Sequence, residues 1–179
     1  MSKITKTIAA LGVVAGLGVA ALPLASYADS PDSKPITVNA NIGSSFSLTV
    51  DKNSVALAPI NNGPIVNTET DGGINATVTS NNAAGYTLVL NGTEDYSLAS
   101  GTNKIAAGTP AKGTSAWAVK GGKITSYQAL GGSGLTLADT SAPTGTSGEA
   151  TDIDFAVSAS PNQAAGNYTA TLTLTATAK

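Results

Sequence analysis

The chain contains no cysteine, no histidine and no arginine, and each absence removes a class of chemistry. Without cysteine, no disulfide can staple the fold and no thiolate can act as nucleophile or metal ligand. Without histidine as well, neither a Ser-His-Asp nor a Cys-His constellation can be assembled. Ordinary zinc sites lose their two main ligand types at the same stroke. Lysine is the only basic side chain, it forms no cluster, and aromatics make up 4% of the residues. That composition argues against nucleic acid as a partner. Paired carboxylates remain, at Glu94-Asp95, Asp152/Asp154 and Asp139. All fall in turns or on polar strand faces, where solvated surface acids are expected rather than a hydrolytic cleft. The expectation is a non-enzyme that calls for no cofactor.

Long apolar runs are also scarce, with a single exception at the start. Lys3 and Lys6 precede residues 8–22, which are apolar or Gly throughout, and Pro23 closes the run. Ser26 and Ala28 then place small residues at −3 and −1 before Asp29. A charged start, an apolar stretch and an A-x-A-like site read as a cleavable secretory signal helix over residues 1–28. The run holds Gly12, Gly16 and Gly18 and falls short of the roughly 20 residues a membrane anchor needs. The membrane is therefore a partner during export only, and the expected location is secreted, on the cell surface or cell wall. Cleavage between Ala28 and Asp29 removes Lys3 and Lys6 and no acid. Seven lysines then face eleven acids, a net charge of −4. A polar leader (29–35) and one domain (36–179) remain, about 150 residues around a single core.

What the chain does have is alternation. Ile36, Val38, Ala40 and Ile42 alternate with polar residues, and Phe46, Leu48 and Val50 continue the period. Ile74, Ala76 and Val78 form one face of a further strand, as do Tyr86, Leu88 and Leu90, and Ile153, Phe155 and Val157. The last run sets Tyr168, Ala170, Leu172, Leu174 and Ala176 against a row of threonines. Period-2 patterning of this kind describes antiparallel strands with one buried and one wet face. The 22 threonines after residue 28 suit the exposed faces. The predicted fold is all-β, an antiparallel immunoglobulin-like β-sandwich. Gly121-Gly122 between two alternating runs predicts a hairpin. Residues 101–115 and 131–151, rich in Gly, Ser, Thr and Pro, are predicted to be long loops.

Two stretches echo each other. Ile74-Asn-Ala-Thr-Val-Thr-Ser, an Asn-rich turn and Ala-Ala-Gly85-Tyr86-Thr resemble Ile153-Asp-Phe-Ala-Val-Ser-Ala, an Asn-containing turn and Ala-Ala-Gly166-Asn-Tyr168-Thr. They are predicted as two hairpins of like turn chemistry, one in each sheet. Gly166-x-Tyr168-x-Ala170 also fits a tyrosine corner.

The run from Thr77 to Leu88, the strand holding Trp117, and the closing Gly-x-Tyr-Thr pattern from Gly166 to Ala176 resemble small secreted surface proteins. These occur in Gram-positive bacteria, Saccharibacteria and their relatives, and the ending is similar to WxL cell-surface domains. The resemblance implies a surface domain held non-covalently to peptidoglycan or other wall polysaccharide, or to other surface proteins. Here the first signature tripeptide reads Trp117-Ala118-Val119, and Leu172-Thr173-Leu174 stands without the second Trp.

Three sites carry alternatives. Trp117 fits a sandwich core, or with Tyr127 a sugar-stacking platform for a carbohydrate-binding module or adhesin. Asp152 and Asp154 fit surface acids, or a Ca²⁺ site completed by carbonyls from residues 131–151. Residues 36–42 fit a strand paired within its own chain, or one exchanged between subunits into a homo-oligomeric fibre.

Overall fold

The computed structural model describes residues 34–58, 60, 67–68, 72–92 and 95–179. The expected signal segment and its cleavage point between Ala28 and Asp29 lie outside the described residues. The chain falls into two units, residues 1–40 and 41–179. Within the first, the described residues 34–40 carry neither helix nor strand. The second is all-β and antiparallel. Among the described residues there is no helix, hence none long and apolar enough to cross a membrane.

Eleven strands follow in order: β1 (Phe46–Val50), β2 (Asn67–Thr68), β3 (Ile74–Ser80), β4 (Tyr86–Gly92), β5 (Ser97–Ser100), β6 (Asn103–Ala106), β7 (Ala116–Gly121), β8 (Ile124–Gln128), β9 (Leu135–Asp139), β10 (Glu149–Ser158) and β11 (Leu172–Ala178). One sheet runs β1-β3-β10-β7-β8, with β2 continuing the line of β3 along β10. A second runs β11-β4-β9, and β5 and β6 form a separate hairpin. The alternating apolar rows meet in one core: Ala76 and Val78, Ile153, Phe155 and Val157, Trp117 and Val119 from the first sheet, Tyr86, Leu88, Leu90 and Leu137 from the second. Branched and aromatic side chains at every second position give each strand its inward row, while on β7 and the end of β10 the opposite row consists of small residues (Ala116, Ala118, Ala156 and Ser158) that are buried as well.

Four expectations need correction. The echoing segments are not hairpins. β3 and β10 lie in the first sheet, β4 and β11 in the second, so each motif is an arch that carries the chain across the core. Alternation cannot separate the two outcomes, since a five-residue turn spans the roughly 10 Å between sheets as easily as it reverses a strand. The two loops are shorter than expected: β6 lies inside residues 101–115 and β9 inside 131–151. Tyr168 to Thr171 precede β11 rather than open it, with Thr169 in a bridge to Ala99. Residues 36–42 form no strand, and the first strand starts at Phe46. The predicted hairpin after β7 is present, one residue later than expected. Gly121 pairs with Ile124 around Gly122 and Lys123.

The two arches nevertheless stack in register. β3 pairs with β10 over five residue pairs and β4 pairs with β11 over seven. The first turn is tightly built: Gly85 sits at φ 79°, and a Cβ there would lie 2.5 Å from the Thr140 carbonyl oxygen. Asn82 closes it by accepting the Ala84 N–H at its side chain (3.1 Å) and the Gly85 N–H at its carbonyl (3.0 Å).

Candidate functional site

The predicted aromatic platform does not assemble. Trp117 stands opposite Val157 in the inward row and is 1% exposed. Its indole Nε1–H donates to the Tyr96 carbonyl at 2.9 Å. Tyr96 is held at φ 50°, the one non-glycine residue with positive φ among those described. The core therefore spends local backbone strain to satisfy a buried indole. Tyr127 belongs to the outward row of β8, and the Lys120 ammonium lies over its ring, 5.0 Å from the centroid. Trp117 and Tyr127 thus occupy opposite faces of one sheet, and Lys120 covers the face a sugar would need.

Asp152 and Asp154 share the outward face of β10 near Asp51, and with Lys52 and Asn75 they line a small cleft. Their oxygens are engaged by the protein itself. Asn75 Nδ2 donates to Asp152 at 2.6 Å, the Asn75 N–H donates to Asp51 at 2.8 Å, and Lys120 pairs with Asp154 at 3.0 Å. Among the described residues no group of three or more acids is placed to hold a metal ion. The Ca²⁺ candidate resolves into a polar network that ties β1, β3, β10 and β7 together. Of the other acids, Asp95 is bonded by Lys104 and held at about 2, mainly by that hydrogen bond. Asp139 is bonded by Lys179, which holds its carboxyl below the usual range. Glu94 lies outside the described residues.

The feature that sequence reasoning missed is an uncovered flank. Among the described residues the second sheet has three strands against six in the first, five of them in its main row and β2 beside β10. Its β9 side is tied to the β7–β8 turn, where the Lys123 N–H donates to the Leu137 carbonyl at 2.8 Å. β11 therefore lies toward β1. There Phe46, Leu48 and Val50 stand opposite Ser80, Val78 and Ala76, and so point inward. The β3 residues are buried, yet Phe46 and Val50 remain 40% and 45% exposed. Leu172, Leu174 and Ala176 on β11 are likewise only half-buried, whereas their β4 neighbours Leu88 and Leu90 are buried. The inward row of β3 leads on to Ile74, which with Val55, Leu57, Phe155, Leu98 and Leu172 lines an apolar groove of about 1200 Å³. Leu172 belongs both to this groove and to the half-buried row of β11. The other flank makes no such demand, since the inward row of β8 ends in Ser126 and Gln128.

Alternation flagged Phe46, Leu48 and Val50 as inward-facing, but it carries no signal for whether an opposing strand exists.

Neither a protein-family model nor a curated protein matches this chain.

Proposed function

We propose that this protein is an exported, non-catalytic structural or interaction module of the cell surface, and that the uncovered flank is its interaction surface. The observation that carries the reading is the exposure of Phe46 and Val50 beside the half-buried inward row of β11. A self-contained domain covers such a contiguous apolar surface, whereas an interaction module keeps it for a partner. The signal-like first 28 residues supply the export half of the reading. A chain without cysteine suits a module whose stability rests on strand pairing and burial alone.

The immunoglobulin-like assignment belongs to the same proposal. Two features support it: the stacked arches, with β3 on β10 and β4 on β11, and the hydroxyl of Tyr168. That hydroxyl donates to the Ala164 carbonyl at 2.7 Å, four residues upstream, as a tyrosine corner requires. Gln163 Nε2 donates to the same hydroxyl at 2.7 Å.

The test has two parts. Amino-terminal sequencing of the protein recovered outside the cell should read Asp29 as the first residue; an intact Met1 there would overturn the export reading. Mature protein should be retained on purified cell envelopes, and a Phe46→Asp/Val50→Asp variant that keeps its melting temperature should be released. Equal retention of both would overturn the flank as the interaction surface.

A further inference from the structure

We infer that the uncovered flank is filled by residues 36–42 of a second copy of this chain, added as a strand along the free edge of β11. The inference rests on the flank being an interaction surface and names its partner. β11 pairs with β4 on one side, and among the described residues no strand lies on the other. That edge presents unpaired backbone groups beside an apolar row only half-covered, the arrangement that strand addition uses. The missing element is a strand with an apolar residue at every second position, about as long as β11, which has seven residues.

Among the described residues, 36–42 form such a segment outside any strand. Ile36, Val38, Ala40 and Ile42 alternate over seven residues. Ile36, Val38 and Ile42 are 88%, 87% and 85% exposed, and residues 36–42 make no hydrogen bond with any described residue. Directly after it the chain is clamped to the first sheet. The Ser45 N–H donates to Asn81 Oδ1 at 2.8 Å, Asn81 Nδ2 donates to the Gly43 carbonyl at 2.7 Å, and the Asn81 N–H donates to the Ser45 carbonyl at 3.1 Å. Residues 36–42 are thus an exposed apolar segment with the alternation of a strand. Inserted beside β11 of another copy, its inward residues cover Phe46, Leu48 and Val50 there, while Thr37, Asn39 and Asn41 extend the polar outer row of Thr173, Thr175 and Thr177. One copy donates a strand and accepts another, so the contact is head-to-tail and propagates into a fibre or closes into a ring.

The absence of cysteine makes the test direct. Full mature chains carrying Asn39→Cys are mixed under oxidising conditions with differently tagged chains carrying Thr173→Cys, Thr175→Cys or Thr177→Cys. All four are outward polar positions whose replacement leaves the core intact. A covalent dimer bearing both tags, strongest for one of the three partners, is the expected result, and Val38→Asp in the donor should lower its yield roughly tenfold. Two results overturn the inference: no mixed dimer with any partner, or, in a further chain that carries Asn39→Cys together with Thr175→Cys, cross-linking only within the chain, which assigns the segment to its own flank. Envelope retention is scored on the Asn39→Cys chain with Val38 in place. If that chain binds envelopes through Phe46 and Val50 yet forms no mixed dimer, strand exchange fails while the flank reading stands.

Discussion

Tyr86 shows how one side chain turns burial into a pH dependence. It is fully buried, and burial, with the Glu149 carboxylate adding to it, pushes its phenol up to about 12. The folded protein then keeps this proton to higher pH than the unfolded chain, whose tyrosine ionises near 10. The associated stability is complete below pH 10 and is lost as pH climbs toward 12. Two units correspond to roughly 2–3 kcal/mol. Denaturant midpoints measured between pH 9 and 12 should fall steeply for the natural chain and distinctly less for Tyr86→Phe; parallel curves would show that the phenol stays accessible. Trp117 permits a second check at this scale. As the one tryptophan, buried and hydrogen-bonded to Tyr96, it should emit at short wavelength and resist acrylamide until the protein unfolds. A red-shifted, freely quenched emission would return it to the surface.

At the scale of elements, the two Ala-Ala-Gly turns look alike in sequence and differ in their physics. Gly85 needs positive φ and lies against the Thr140 backbone, whereas Gly166 lacks the positive φ and meets side chains, chiefly the Ser100 hydroxyl, which can turn away, with the Ser100 Cβ at 3.1 Å and the Tyr168 ring at 3.6 Å. Gly85→Ala should therefore cost about 1–3 kcal/mol and Gly166→Ala at most about 1, compared by chemical denaturation. Equal costs would mean that the turns are equivalent after all. Tyr168→Phe removes the hydroxyl that joins Ala164 and Gln163 and should cost about 1 kcal/mol, the usual net worth of such a bond.

The strands themselves were largely legible in the sequence. Ile74, Ala76 and Val78, or Ile153, Phe155 and Val157, announce a buried row by period alone. β9 and β6 were not, because Leu135-Thr-Leu137 and Asn103-Lys-Ile105 are too short to establish a period inside Gly- and Ser-rich surroundings. Whether an arch or a hairpin follows β3 depends on which strands β4 later pairs with, and that information lies far along the chain, at β9 and β11.

Among the described residues a first sheet with five strands in its main row packs with a second of three around one core, beside the β5–β6 hairpin, and one flank is left without a covering strand. Candidate chemistry read from residue types alone, the Trp117/Tyr127 platform and the Asp152/Asp154 cation site, dissolves once faces are assigned. Trp117 and Tyr127 lie on opposite faces, and the acids are held by Asn75 and Lys120. What remains for function is a matter of coverage: apolar rows on β1 and β11 that no described strand opposes, and an exposed, alternating apolar segment at residues 36–42. Light scattering on the mature chain, across a range of concentrations, tests that central claim most directly. The expected result is an average mass that rises well above the monomer with concentration and returns to it on Val38→Asp. A monomer at every concentration, with or without the substitution, would contradict it.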